Sequence, residues 1–141
     1  MAKAKQEQYG NSSISMLKGE DRVRKRPAVI FGSDDLEGCK HAVFEILSNA
    51  IDEARENGIK VGMIRPITLW PYPKKALLEA ADKVKAFICV ELNMGQMIED
   101  VELAIRCKKP VYLCSRTGGM IPTTQNVLDK IEEVVKMGGA K

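Results

Sequence analysis

Histidine is almost absent from this chain of 141 residues: His41 stands alone. The four cysteines, Cys39, Cys89, Cys107 and Cys114, include no C-x-x-C pair, so zinc and dithiol redox readings have no support. Cys89 and Cys114 fall inside apolar runs and read as reduced, buried thiols, which suits a reducing compartment. No apolar run approaches the ~20 residues of a membrane span. The N-terminus lacks the apolar core of a signal peptide. Neither "RTGG" nor "MGGAK" has the spacing of a phosphate-binding loop or a dinucleotide fingerprint. A net charge of only +3 argues for no nucleic-acid or membrane partner across the whole chain. These absences leave a soluble cytoplasmic protein as the expectation.

What is present is ordinary globular material, 45% apolar and 29% charged, in a length that fits one domain and one core. Lys3, Lys5, Lys18, Arg22, Arg24, Lys25 and Arg26 crowd the first segment, so residues 1–26 read as a mobile basic arm. Residues 27–141 read as a single α/β domain. Ala28 to Phe31 is a short apolar run, expected as a strand, and Ser33, Asp34 and Asp35 after it are helix N-cap candidates. Leu36, Cys39, Val43, Ile46, Leu47, Ala50 and Ala54 then recur at helical steps as far as Asn57, with Gly58 as terminator. Such a helix, ~33 Å long, outruns strands of ~17–23 Å and is expected to overhang the sheet or break.

"IKVGMIR" is expected as a strand and "KKALLEAADKVK" as a helix begun near Pro73. "AFICVE", "QMIEDVELAIR", "PVYLCS" and "TQNVLDKIEEVVKM" continue as strand, helix, strand and helix. Thr123 or Thr124 caps the last helix and Gly138 ends it. This alternation predicts a mostly parallel sheet covered by helices in three α/β/α layers.

Glu45, Asn49 and Glu53 share one helix face beside the apolar stripe. A carboxylate there suits alignment of an attacking water, and an amide oxygen one turn on suits Mg²⁺. On spacing alone, a solvated face is the plainer reading. The strings "YGNSSISMLKGEDRVRKRPAVIFGSDDLEG" and "HAVFEILSNAIDEARE", covering roughly Met1 to Arg55, closely resemble the start of the ATPase-bearing chain of type IIA DNA topoisomerases, the gyrase and topoisomerase IV family. That resemblance implies a nucleotide site with Glu45 as the ATPase base and Asn49 as the Mg²⁺ ligand. Glu53 would order the pocket, and Tyr9 and Ile14 would lie on an arm reaching a dimer partner's nucleotide. The adenine-binding Asp-x-Gly-x-Gly segment, the glycine-rich lid and the distant γ-phosphate lysine of that family do not follow Arg55, so the implied Mg·ATP site reads as vestigial.

From about Arg55 to Ile131 the text changes. "IRPITLWPYP", "VELNMGQM" and "RTGGMIPT", in this order, are similar to the C-terminal domain of the α subunit of 2-oxoacid:ferredoxin oxidoreductases, of the branched-chain 2-oxoacid and 2-oxoglutarate types. The resemblance implies a transketolase C-terminal-like fold. The parent enzyme uses thiamine diphosphate, CoA and iron–sulfur clusters, none of which this chain is expected to hold alone. Asn93, Gly95 and Gln96 lie at a strand-to-helix turn whose amides could meet an anion or a partner loop. Arg116, Thr117, Gly118 and Gly119 form the equivalent loop after the next strand. A tight capped turn and an interface are the plainer readings of these two loops. Trp70 and Tyr72 read as docking or core aromatics.

The oxidoreductase domain normally opens with one more strand and helix, in whose place the topoisomerase-like strand and helix (27–57) stand, followed by the oxidoreductase-like part (58–137). The leading expectation is a fused oxidoreductase subunit domain, noncatalytic alone, that serves assembly with other oxidoreductase subunits or self-association. The alternatives are a remnant of a topoisomerase ATP-binding domain, the one reading that brings in DNA, and a chimeric reading frame without selected function.

Overall fold

Two five-residue apolar stretches organise the molecule. In the computed structural model, which describes residues 25, 28, 29, 33 and 35–139, Phe87–Glu91 (β1) and Val111–Ser115 (β2) pair in parallel, Cys89 opposite Leu113 and Val90 opposite Cys114. Parallel pairing requires a crossover, here helix α3, Met97–Ala104. Side chains alternate across a strand. Ile88, Val90 and Cys114 therefore face one way, toward Ala50 and Ala54 of helix α1 (Leu36–Glu56) and Val127, Leu128 and Ile131 of helix α4 (Thr124–Val134). Phe87, Cys89, Val111 and Leu113 face the other way, toward Leu77 and Ala81 of helix α2 (Lys74–Ala81) and Val101, Ala104 and Ile105 at α3. The result is the expected three-layer α/β/α arrangement.

The sheet is smaller than the alternation of elements predicts. Among the described residues it has two strands. Residues 59–65, expected as a strand, form no ladder. Ile59 and Val61 are half-buried against the α1 and α4 side, so the strand-like alternation survives. Arg55 Nε donates to the Val61 carbonyl at 3.0 Å, taking an acceptor that a ladder would use. Ala28 and Val29, placed in a strand by the sequence, are helical and exposed. Among the described residues no strand pairs with them, and a short apolar run without a partner gains nothing from extension. The rest of that strand, Asp34 and the arm 1–26 apart from Lys25 lie outside the described residues.

The chain divides into two compact units, Met1–His41 and Ala42–Lys141. In the first, Asp35 caps α1 by accepting the Glu37 N–H at 2.8 Å. The Ser33 hydroxyl and that amide hold the Asp35 carboxyl below its ordinary value. Helix α1 runs unbroken for 21 residues. Of its apolar stripe, Leu36 and Cys39 in this unit are exposed; in the second unit Val43, Ile46 and Leu47 are half-buried and Ala50 and Ala54 are buried.

In the second unit, Thr123, one of the two expected caps, caps α4, and it does so in a reciprocal box with Asn126. The helix passes through a looser turn, Val135–Gly139, in which Gly138 takes φ 88°. Helix α3 ends differently: Arg106 and Cys107, neither of them glycine, both adopt positive φ, 56° and 52°. The Cys107 N–H then reaches the Glu102 carbonyl at 2.9 Å. A left-handed residue with a Cβ costs about 1–2 kcal/mol, and glycine there loses about 0.5–1 kcal/mol of chain entropy. Cys107→Gly, at an exposed position, is expected to raise stability by about 0.5–1 kcal/mol. Thermal denaturation checks this, and an unchanged or lower melting temperature refutes it.

Candidate functional site

Open α/β sheets bind ligands beyond the carboxyl ends of their strands, where β1 leads into residues 92–96 and β2 into residues 116–122. Glu91, the last residue of β1, shares its face with Phe87 and Cys89 and so points at the N-terminus of α3. It is only 5% exposed. Its Oε2 accepts the Gln96 and Met97 N–H groups at 3.0 and 2.8 Å, and its Oε1 accepts the Ile98 N–H at 2.9 Å. Asn93 Oδ1 accepts from Gly95 N at 2.8 Å and from Gln96 N at 3.1 Å. Gly95 sits at φ 101°, and a Cβ there would stand 3.0 Å from Leu113 Cδ2. A helix N-terminus attracts an anion, and the chain supplies its own: Glu91 fills the place where sequence reasoning allowed an external one. The sequence signal for Glu91 is a single carboxylate closing an otherwise apolar strand six residues before the first residue of a helix.

The second loop is tied down in a similar way. Arg116 donates its backbone N–H to the Glu91 carbonyl at 3.2 Å and its Nη2 to Asn126 Oδ1 at 3.0 Å. That amide oxygen also accepts from Thr123 N at 3.1 Å. The guanidinium is thus engaged at the α4 cap. Thr117, Gly118 and Gly119 are exposed, with φ 73° and 76° at the two glycines. Beside Gln96 and Thr117, this edge also turns large apolar side chains to solvent: Leu92, Met94 (81% exposed), Met120 and Ile121. Sequence reasoning named the polar residues of both loops and passed over these.

Glu45, Asn49 and Glu53 lie on α1 as their spacing predicts, and all three are exposed. Beside them, Val43, Ile46, Leu47, Val90, Leu92, Ile121 and Pro122 line a shallow cleft. It offers no polar side chain to a nucleotide. Tyr9 and Ile14 lie outside the described residues. Among the described residues no three His, Cys, Asp or Glu side chains converge on a metal position. On this exposed face, with an apolar cleft beside it, the three residues alone do not enclose a Mg·ATP site, which needs converging oxygen donors. Nor do the cysteines fit an iron–sulfur cluster, because Cys89 and Cys114 are buried on opposite faces of the sheet. With the α3 amides already bonded, the loop after β1 does not fit the pyrophosphate of thiamine diphosphate.

The remaining singled-out side chains divide between core and surface. Burial, helped by Glu91 and Glu102, pushes the Cys89 thiol up to about 12. Burial also raises Cys114, with Lys130 and Arg116 opposing. Both are inert thiols. Tyr72 packs against the α2 and α3 side, and its hydroxyl is buried without a partner. Trp70 is 89% exposed. Among the described residues no helix is long and apolar enough to cross a membrane.

The chain is similar to two different groups of known proteins. The family described as pyruvate:ferredoxin oxidoreductase core domain II matches residues 39–127. The ketoisovalerate oxidoreductase subunit VorB of Methanothermobacter marburgensis is 43% identical over 89 residues, 63% of this chain and 25% of that protein. The 2-oxoglutarate synthase subunit KorA of the same organism is 33% identical over 85 residues, 60% of this chain and 23% of that protein. A different similarity, to the B-type subunit of DNA topoisomerase 4 from Enterococcus faecalis, reaches 48% identity over 54 residues, 38% of this chain and 8% of that protein. The chain spans about a quarter of the length of the oxidoreductase relatives it matches. No solved structure matches it. It joins a topoisomerase-like beginning to an oxidoreductase-like remainder.

Proposed function

The chain belongs to the pyruvate:ferredoxin oxidoreductase core domain II family, and on that premise we propose that it is a subunit domain that carries no chemistry alone and serves assembly. Its partners are the other subunits of a 2-oxoacid:ferredoxin oxidoreductase or a second copy of itself. Thiamine diphosphate, CoA and iron–sulfur clusters belong, in this reading, to the assembled parent enzyme. The observation that carries the proposal is the character of the carboxyl edge. The α3 amides and the Arg116 guanidinium are engaged internally, by Glu91 and Asn93 on the amides and by Asn126 on Arg116. Leu92, Met94, Met120 and Ile121 are left facing outward. An exposed apolar cluster at a place where the fold usually binds something suits docking better than catalysis.

The test mixes the full chain with the remaining subunits of the Methanothermobacter marburgensis ketoisovalerate oxidoreductase and reads complex formation by light scattering after gel filtration. The chain alone is run for self-association. Association is expected, and Met120→Asp is expected to weaken it by roughly tenfold or more, since a buried apolar anchor is worth over ~1.4 kcal/mol. A chain that stays monomeric in both arms refutes the proposal. So does a rise in melting temperature with millimolar CoA or thiamine diphosphate, which would show a ligand site in the chain itself.

A further inference from the structure

We infer that helix α1 has changed use: a helix with the sequence of a topoisomerase nucleotide site now serves as a covering layer of an oxidoreductase-type α/β domain, and the apolar cleft beside it is the seam. The two similarities overlap on this helix. The oxidoreductase family match begins at residue 39, inside α1, while the topoisomerase resemblance continues to about Arg55. One helix serves both only if its apolar stripe finds new neighbours. Ala50 and Ala54, both 0% exposed, pack with Cys114, Val127, Leu128 and Ile131, all in the oxidoreductase-like part. Alanine permits this close approach because it projects only a methyl group.

Toward the N-terminus the fit loosens. Val43 and Ile46, with Leu92, Ile121 and Pro122, line an open apolar cleft at whose floor Leu47 and Val90 join the core. Close packing is the rule in protein interiors, and a groove between apolar surfaces marks a poor match. The same rotation that turns Ala50 and Ala54 inward leaves Glu45, Asn49 and Glu53 exposed. An ATPase base and a Mg²⁺ ligand need the reverse, a closed polar pocket over those oxygens. The inference concerns the internal packing of α1 and stands whether or not the domain docks on a partner, so failure of the association experiment leaves it intact.

Thermal denaturation of the full chain and its variants tests it. Millimolar Mg·ATP is expected to leave the melting temperature unmoved, and so is Asn49→Ala. Ala54→Leu, which forces extra methylenes into the tight contact, is expected to lower it by about 5–10 °C. Val43→Leu, which extends into the cleft, is expected to raise it by a few degrees. A rise with Mg·ATP that Asn49→Ala abolishes would overturn the inference. Ala54→Leu melting with the parent chain would deny the covering contact, and Val43→Leu lowering the melting temperature would deny the seam.

Discussion

Glu91→Gln is expected to lower the melting temperature by on the order of 10 °C although it leaves the shape of the side chain unchanged. Both carboxylate oxygens are in use, Oε2 by two amides and Oε1 by a third. A glutamine has one acceptor oxygen, so its NH₂ must face a backbone N–H and at least one buried donor loses its partner. The negative charge that complements the helix N-terminus is lost as well. The loss is about 2–3 kcal/mol, and one kcal/mol moves the midpoint of a domain this size by about 4–8 °C. Glu99→Gln is the control, because Glu99 lies in the first turn of the same helix but is exposed. It removes an equal charge and is expected to shift the midpoint by at most a few degrees. Hydrogen exchange at the Met97 and Ile98 amides should accelerate in the first variant alone. Equal, small effects of the two substitutions would reduce Glu91 to a surface charge.

Periodicity carried the fold reading where an element is decided by its own residues. The α1 stripe, the strands "FICVE" and "VYLCS", the Thr123 cap and the Gly138 stop are all local patterns, and all are found. Residues 59–65 have the alternation of a strand without forming one, because a ladder depends on a neighbour and on Arg55 leaving the Val61 carbonyl free. Ala28 and Val29, expected in a strand, are helical and exposed. The end of α3 was hidden differently: no turn residue marks Arg106 and Cys107, whose positive φ follows from the chain reversing after Ile105 is buried.

The candidate site was legible by position and not by content. Strand–loop–helix order locates the two loops, whereas the direction in which Glu91 points depends on which face of β1 meets α3, a property of the packed sheet. At Glu45 and Asn49 the helical spacing places both side chains on one exposed face, and a role for them there comes from resemblance alone.

Raising the pH from 9 to 12 is expected to cost the domain more than any single surface substitution, and the α2 and α3 side of the core is the cause. The Cys89 thiol is pushed from 9.0 up to about 12 by burial, reinforced by the charges of Glu91 and Glu102. The Tyr72 phenol is pushed from 10.0 up to about 12 by burial first, then by the negative charge Cys89 would carry and by Asp100 and Glu91. Both groups are neutral when protonated, and their folded values lie above their unfolded ones. Above pH 9 the unfolded chain therefore sheds protons that the native chain keeps, and stability falls as pH rises, steepening past 10 and levelling near 12. Each pH unit in that window costs up to about 1.4 kcal/mol for a fully buried group; Tyr72, whose hydroxyl is buried but whose side chain as a whole is only half-buried, contributes less than Cys89. A midpoint loss on the order of 10 °C follows. Cys89→Ala should melt lower at pH 7 because it opens a small void, yet lose less between pH 9 and 12 than the parent chain. Tyr72→Phe removes a hydroxyl that is buried without a partner, and it should melt no lower than the parent at pH 7 while losing less stability above pH 10. Parallel alkaline profiles for the parent and both variants would mean that other groups, outside this core, govern the transition.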